Sequence, residues 1–126
     1  MQPGGEAVAD IGHVHLKVSD LERAVGFYRD LVGMTLRNTH QGAAFLAFGD
    51  YHHHLGLNTW RSRGGGPPAP ETTGLYHFAV RYANRRDLAA ALNAFSTVAS
   101  TSIRHRIAPG QPTPSICAIR IRTGSS

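Results

Sequence analysis

The sequence predicts an α+β fold built from two β-α-β-β-β units, the second of them incomplete. Three observations predict it. A period-2 strand pattern near the N-terminus passes directly into a helical one; the same passage returns later in the chain; and the strand patterning that follows the first passage fails to follow the second. A chain of 126 residues supports one modest core and therefore one domain.

Residues 1–10, rich in Gly and polar residues, read as a flexible leader. From Ile11 to Val18 the chain alternates. Ile11, His13, His15 and Lys17 fall on one side, and Val14, Leu16 and Val18 on the other. Ser19, with Glu22 three residues later, predicts a capping box that opens a helix. Leu21, Ala24, Val25, Tyr28, Leu31 and Val32 then keep the spacing of an amphipathic helix, and Gly33 is its natural stop. Three short strands are expected at about 34–39, 43–48 and 52–59, which closes a first unit over 11–62. A loop over 60–73 carries GGGPPAP, a turn-and-linker composition.

The second unit starts at 74–95. A strand from Gly74 to Tyr82 leads to a helix that Asn84 and Asp87 begin and Leu88, Leu92 and Phe95 line. His13-Val-His-Leu-Lys-Val-Ser-Asp aligns with His77-Phe-Ala-Val-Arg-Tyr-Ala-Asn, so His13 and His77 hold equivalent places in two repeated units. A lone strand histidine is ordinarily structural; equivalence across a repeat lets two of them converge on one pseudo-two-fold axis.

Composition narrows the function classes. The net charge of +5 suggests an anionic partner, but all eight acidic residues lie at or before Asp87. Arg104, Arg106, Arg120 and Arg122 follow it without an aromatic residue beside them, so the basicity belongs to the tail. Nucleic-acid binding normally pairs basic clusters with stacking aromatics, and is not expected. No apolar run is long enough to cross a membrane, no secretory signal is visible, and the single Cys117 suits a reducing cytoplasm.

The stretch IGHVHLKVSDLERAVGFYRDLVGM resembles the opening of the vicinal-oxygen-chelate superfamily, of the glyoxalase, bleomycin-resistance and extradiol-dioxygenase type. More narrowly, YHHHLGLNTW and TGLYHFAV resemble small bacterial catechol-2,3-dioxygenase homologues. The resemblance covers residues 11–95 and implies a cup-shaped mixed sheet around a metal. It implies an extradiol dioxygenase that opens a small catechol-like aromatic ring with O2, using Fe(II), or Mn(II) in its place. By the same resemblance His13 and His77 are metal ligands and His53 is the proton carrier. His15, His54 and Trp60 are candidate substrate contacts, although a tryptophan at a strand end is more often a packing residue. The remaining ligand of such two-His-one-carboxylate sites is a Glu on the final strand, and this chain has no Glu after Glu71. A metal-free binding module or an inactive remnant of the superfamily is the alternative. A glyoxalase-type isomerase is less favoured, since HHHLGLNTW offers no carboxylate.

Residues 96–126, STVASTSIRHRIAPGQPTPSICAIRIRTGSS, have no acidic residue and only one short alternating stretch. They read as a tail foreign to the family, disordered or poorly packed. Synonymous codons for Ala99 to Ser126, read from the third base of the Ala99 codon, permit VDIDSASDRARATHAIYLRDPDPDGIE. That ending supplies both the strand AIYLRDPD and the absent carboxylate, so a frameshift between Phe95 and Ala99 is expected. With the unit unfinished, Leu88, Leu92 and Phe95 should lack cover, and an open edge should invite a second copy to form a homodimer.

Overall fold

The computed structural model describes residues 8–96 and the backbone of 117–122. The element order is β1 (Val14–Lys17), α1 (Leu21–Gly26), a π-helical segment (Phe27–Val32), β2 (Thr35–His40), β3 (Ala43–Ala47), β4 (Leu55–Asn58), β5 (His77–Tyr82), α2 (Arg85–Ser96) and β6 (Cys117–Arg122). The first unit is thus β-α-β-β-β. Its strands form one sheet ordered β1-β4-β3-β2. The meander of β2, β3 and β4 is antiparallel, and it returns the chain so that β4 lies parallel to β1.

Register follows from the alternation in the sequence. Val14 pairs with Leu55 and Leu16 with Leu57, so apolar side chains share the face that packs on the helices. Leu46, Leu55 and Leu57 are fully buried there, each contributing about 1.5–3 kcal/mol. The opposite face receives His15, opposite Gly56, and Phe45, which pairs with Gly56 from the other side. One sheet therefore separates a closed apolar side from an open side rich in imidazoles.

The helix starts one residue later than the capping-box pattern indicates. Asp20, not Ser19, is its N-cap, and the carboxylate accepts the Arg23 backbone N–H at 3.1 Å. After Gly26 the helix widens into a π-helix, whose looser winding keeps residues four and five apart on one face. Tyr28 and Val32 are both buried as a result. Gly33, at φ 96°, ends the segment in the left-handed region that glycine enters without strain.

Unit two begins as its sequence indicates. Asn84 caps α2, its side-chain oxygen accepting the Asp87 N–H at 2.8 Å. Leu88, Leu92 and Phe95 are not left bare, contrary to expectation. Phe95 is buried 5.5 Å from Phe27 in ring-centroid distance, and Leu88 and Leu92 are half-buried against the same core. The two units also meet through β5: Phe78 stacks on Tyr28, and the Tyr82 hydroxyl donates to the Val32 carbonyl at 2.8 Å. Within the tail, Cys117–Arg122 forms a strand antiparallel to β5, which the expectation of poor packing did not include. Residues 97–116 and 123–126 lie outside the described part. No helix among the described residues is long and apolar enough to cross a membrane.

Candidate functional site

The open face of the four-stranded sheet gathers histidines that lie far apart in the chain. His13 stands at the mouth of β1, and His53 lies in the loop that enters β4; their ring centroids are 4.5 Å apart. Phe45 of β3 meets His53 at 5.1 Å, edge to face, and so supplies an apolar wall. His52 is also close, with its Nδ1 3.0 Å from His53 Nδ1. His53 is held below its ordinary value, first by burial, then by the charges of His13, His52, His15 and His54. An imidazole so placed is neutral near pH 7 and able to accept a proton.

Beside this pair, His15 is exposed but held by several neighbours. Its ring lies over Gly56, where a Cβ would come within 2.6 Å of Nδ1, so only glycine admits the ring in this pose. Asn58, 7% exposed, places its Nδ2 2.8 Å from His15 Nε2. Phe45 and Trp60 flank the same ring at 6.1 and 5.9 Å. Trp60 is 62% exposed yet anchored, since its indole N–H donates to the Gln41 carbonyl at 2.9 Å. His15 and Trp60 are both exposed, their rings tilted by 37° to one another.

The other candidates stand apart. His54 turns away from His53, as alternation requires, and its Nδ1 accepts the Phe48 backbone N–H at 3.1 Å. It packs on Tyr51 and Phe48, which ties down the loop before β4. His77 opens β5 on the two-stranded sheet, on the face opposite Phe78 and Val80, with Tyr76 as its ring neighbour at 5.2 Å. Among the described residues, no three His, Cys, Asp or Glu side chains are placed to hold one metal ion. Imidazoles without a carboxylate also fall short of the donor set of a two-His-one-carboxylate centre.

Asn58, Gly56 and Phe45 escaped the sequence reading. A signal for Asn58 was present: along β4 it alternates with Leu55 and Leu57, which places a polar side chain on the face that His15 shares. Nothing local marks Phe45, because only the β3–β4 register brings it to the histidines.

A family model described as the Glyoxalase/Bleomycin resistance protein/Dioxygenase superfamily matches residues 10–99. Over 80 residues the chain is 40% identical to a catechol-2,3-dioxygenase of Bacillus subtilis (strain 168), a stretch that covers 62% of this chain and 28% of the relative. The chain thus spans under a third of that relative's length. Its fold is similar to the crystal structure of lactoylglutathione lyase from Agrobacterium tumefaciens, with a TM-score of 0.59 at 19% identity, covering 94% of this chain and 88% of that one. At such identity the likeness speaks for the fold alone.

Proposed function

The chain belongs to the glyoxalase, bleomycin resistance protein and dioxygenase superfamily, and from that premise we propose that its open face is an extradiol ring-cleaving site by descent. Its substrate is a small catechol-like aromatic compound, opened with O2 so that both oxygen atoms enter the product. The observation that carries this is the contact of His13 with His53 at 4.5 Å, in a stretch similar to a catechol-2,3-dioxygenase. His53 is the proton carrier, its value held below the ordinary one chiefly by burial. Phe45, Trp60 and His15 receive the aromatic ring, and the free thiol of Cys117 suits a cytoplasmic setting.

His13 and His77 are the positions that the superfamily's resemblance marks for Fe(II), or Mn(II). The described residues do not complete that site, so ring cleavage by the chain as it stands is expected to be weak or absent. The same shortfall favours the second reading, a metal-free module that binds small aromatic molecules. A frameshift between Phe95 and Ala99 accounts for the shortfall, because the alternative frame ends in DPDPDGIE and restores a carboxylate. The test is the nucleotide sequence across codons 95–99, followed by expression of the restored chain with Fe(II) and catechol. A yellow ring-opened semialdehyde from the restored chain alone supports the enzyme; none from either chain leaves the binding module as the function.

A further inference from the structure

The geometry points to Asn58 as a positioning residue that fixes the tautomer of His15, so that His15 presents its Nδ1–H to a phenolic oxygen of the ligand. The inference rests on the reading of the open face as an aromatic-binding site. Asn58 is buried in the middle of the sheet, paired with Lys17 of β1 and with Ala43 of β3. Its side-chain oxygen accepts the Trp60 backbone N–H at 3.2 Å. A backbone N–H can only donate, so the amide cannot be turned round without setting two donors against each other. Nδ2 must therefore face His15, and an amide NH2 can only donate as well. His15 Nε2 is consequently the acceptor at 2.8 Å, and the ring hydrogen resides on Nδ1.

His15 itself is exposed on the open side of the sheet. Nδ1 lies above Gly56, and no protein acceptor takes its hydrogen among the described residues. Trp60 lies 5.9 Å from the His15 ring, tilted by 37°, and Phe45 meets it edge to face at 6.1 Å. The arrangement is one fixed donor beside an indole surface, which suits a planar ring carrying an acceptor oxygen. A phenolate oxygen is the strongest such acceptor that a catechol-like ligand offers. The backbone sets Asn58, Asn58 sets the proton on His15, and His15 sets the orientation of the ligand's oxygen.

Nitrogen NMR of the full chain, labelled at histidine, reads the tautomer directly at neutral pH. The expected spectrum assigns His15 an unprotonated Nε2 and a protonated Nδ1. In Asn58→Asp the carboxylate can only accept, so the tautomer should reverse; in Asn58→Ala both tautomers should appear. Visible titration with 4-nitrocatechol then measures the consequence. Kd should rise about tenfold in Asn58→Asp and in His15→Phe, the loss of one hydrogen bond to a charged oxygen. A merely structural asparagine would alter the melting curve without reversing the tautomer. Protonation of Nε2 in the unaltered chain, or an unchanged tautomer in both Asn58 variants, would overturn the positioning role. Equal affinity for 4-nitrocatechol despite reversal would overturn the donor role of His15. If the unaltered chain shows the assigned tautomer yet binds no 4-nitrocatechol, the aromatic-site reading and that donor role fall together, while the Asn58–His15 assignment stands.

Discussion

The imidazoles of His13 and His53 lie 4.5 Å apart and tilted by 46°, although α1 and the β2–β3 hairpin separate them in the chain. The parallel pairing of β1 with β4 makes the contact. The Val14 N–H donates to the His54 carbonyl at 3.0 Å, which fixes the loop containing His53 against the mouth of β1. The proposed proton carrier on the loop and the proposed ligand position just before β1 are thus tied together through a backbone hydrogen bond between their neighbours.

Adjacent histidines in this loop should behave differently. In the restored-frame chain, His53→Gln should lower kcat for ring cleavage by about 10²–10⁴ while KM for catechol stays near its original value. His54→Ala should instead cost about 0.5–1.5 kcal/mol of stability, because it removes the acceptor of the Phe48 N–H. Steady-state kinetics and urea unfolding separate the two. A larger kinetic effect at His54 than at His53 would assign the roles the other way round.

Gly56→Ala should displace His15. The new Cβ would stand 2.6 Å from Nδ1, and the imidazole is the part able to move. Asn58 Nδ2 then loses its partner while remaining buried, which costs about 1–3 kcal/mol. The same substitution in a His15→Ala background should be nearly neutral, since the clash and the hydrogen bond are both already gone. Additive losses in the double-mutant cycle would mean that His15 and Gly56 are not in contact.

Alkaline pH should weaken the fold through two tyrosines. Burial raises the hydroxyl values of Tyr28 and Tyr82 above the ordinary 10.0. The native state therefore holds their protons more tightly than the unfolded chain. Their contribution is complete below the ordinary value and is lost as pH rises through the raised ones. Urea midpoints should fall above about pH 10, and Tyr28→Phe should flatten that decline. Tyr82→Phe should also lose about 0.5–1.5 kcal/mol at neutral pH, because its hydroxyl donates to Val32. An identical alkaline slope in both variants would place the cause elsewhere.

Much of the first unit was legible because its signals are local. Alternation from Val14 to Lys17 and the stop at Gly33 each depend on a few neighbouring residues. The cap lies one residue beyond the sequence pattern because Ser19 and Asp20 are both good acceptors, and only the entry path of the chain chooses between them. The π-helical winding has no local mark: it serves Tyr28 and Val32, whose partners Phe78 and Tyr82 lie on β5. The burial of Phe95 against Phe27 is hidden for the same reason, being a contact between units that pattern within α2 cannot announce. In the site, the repeat made His13 and His77 legible as equivalents, and adjacency to Tyr51 and His54 made His53 legible as part of a motif. Asn58 and Phe45 needed the register of β4 against both of its neighbours.

Restoring the alternative frame should change stability and metal binding together. Among the described residues β5 has a single strand partner, β6, whereas every strand of the first unit belongs to one four-stranded sheet. The frame that ends in AIYLRDPDPDGIE replaces an acid-free tail by a strand pattern followed by a turn and a carboxylate. Further pairing and burial worth a few kcal/mol would be a large fraction of a stability of about 5–15 kcal/mol. The restored chain should therefore melt cooperatively and at higher temperature than the present one. Metal analysis should find iron near one equivalent in the restored chain and well below that here, since a carboxylate added to two imidazoles completes the donor set. Replacing the restored Glu by Gln should remove the iron and keep the melt, which separates ligation from folding. A restored chain that melts no better and holds no more iron than the present one would dispose of the frameshift, and the tail would then be a native part of the fold.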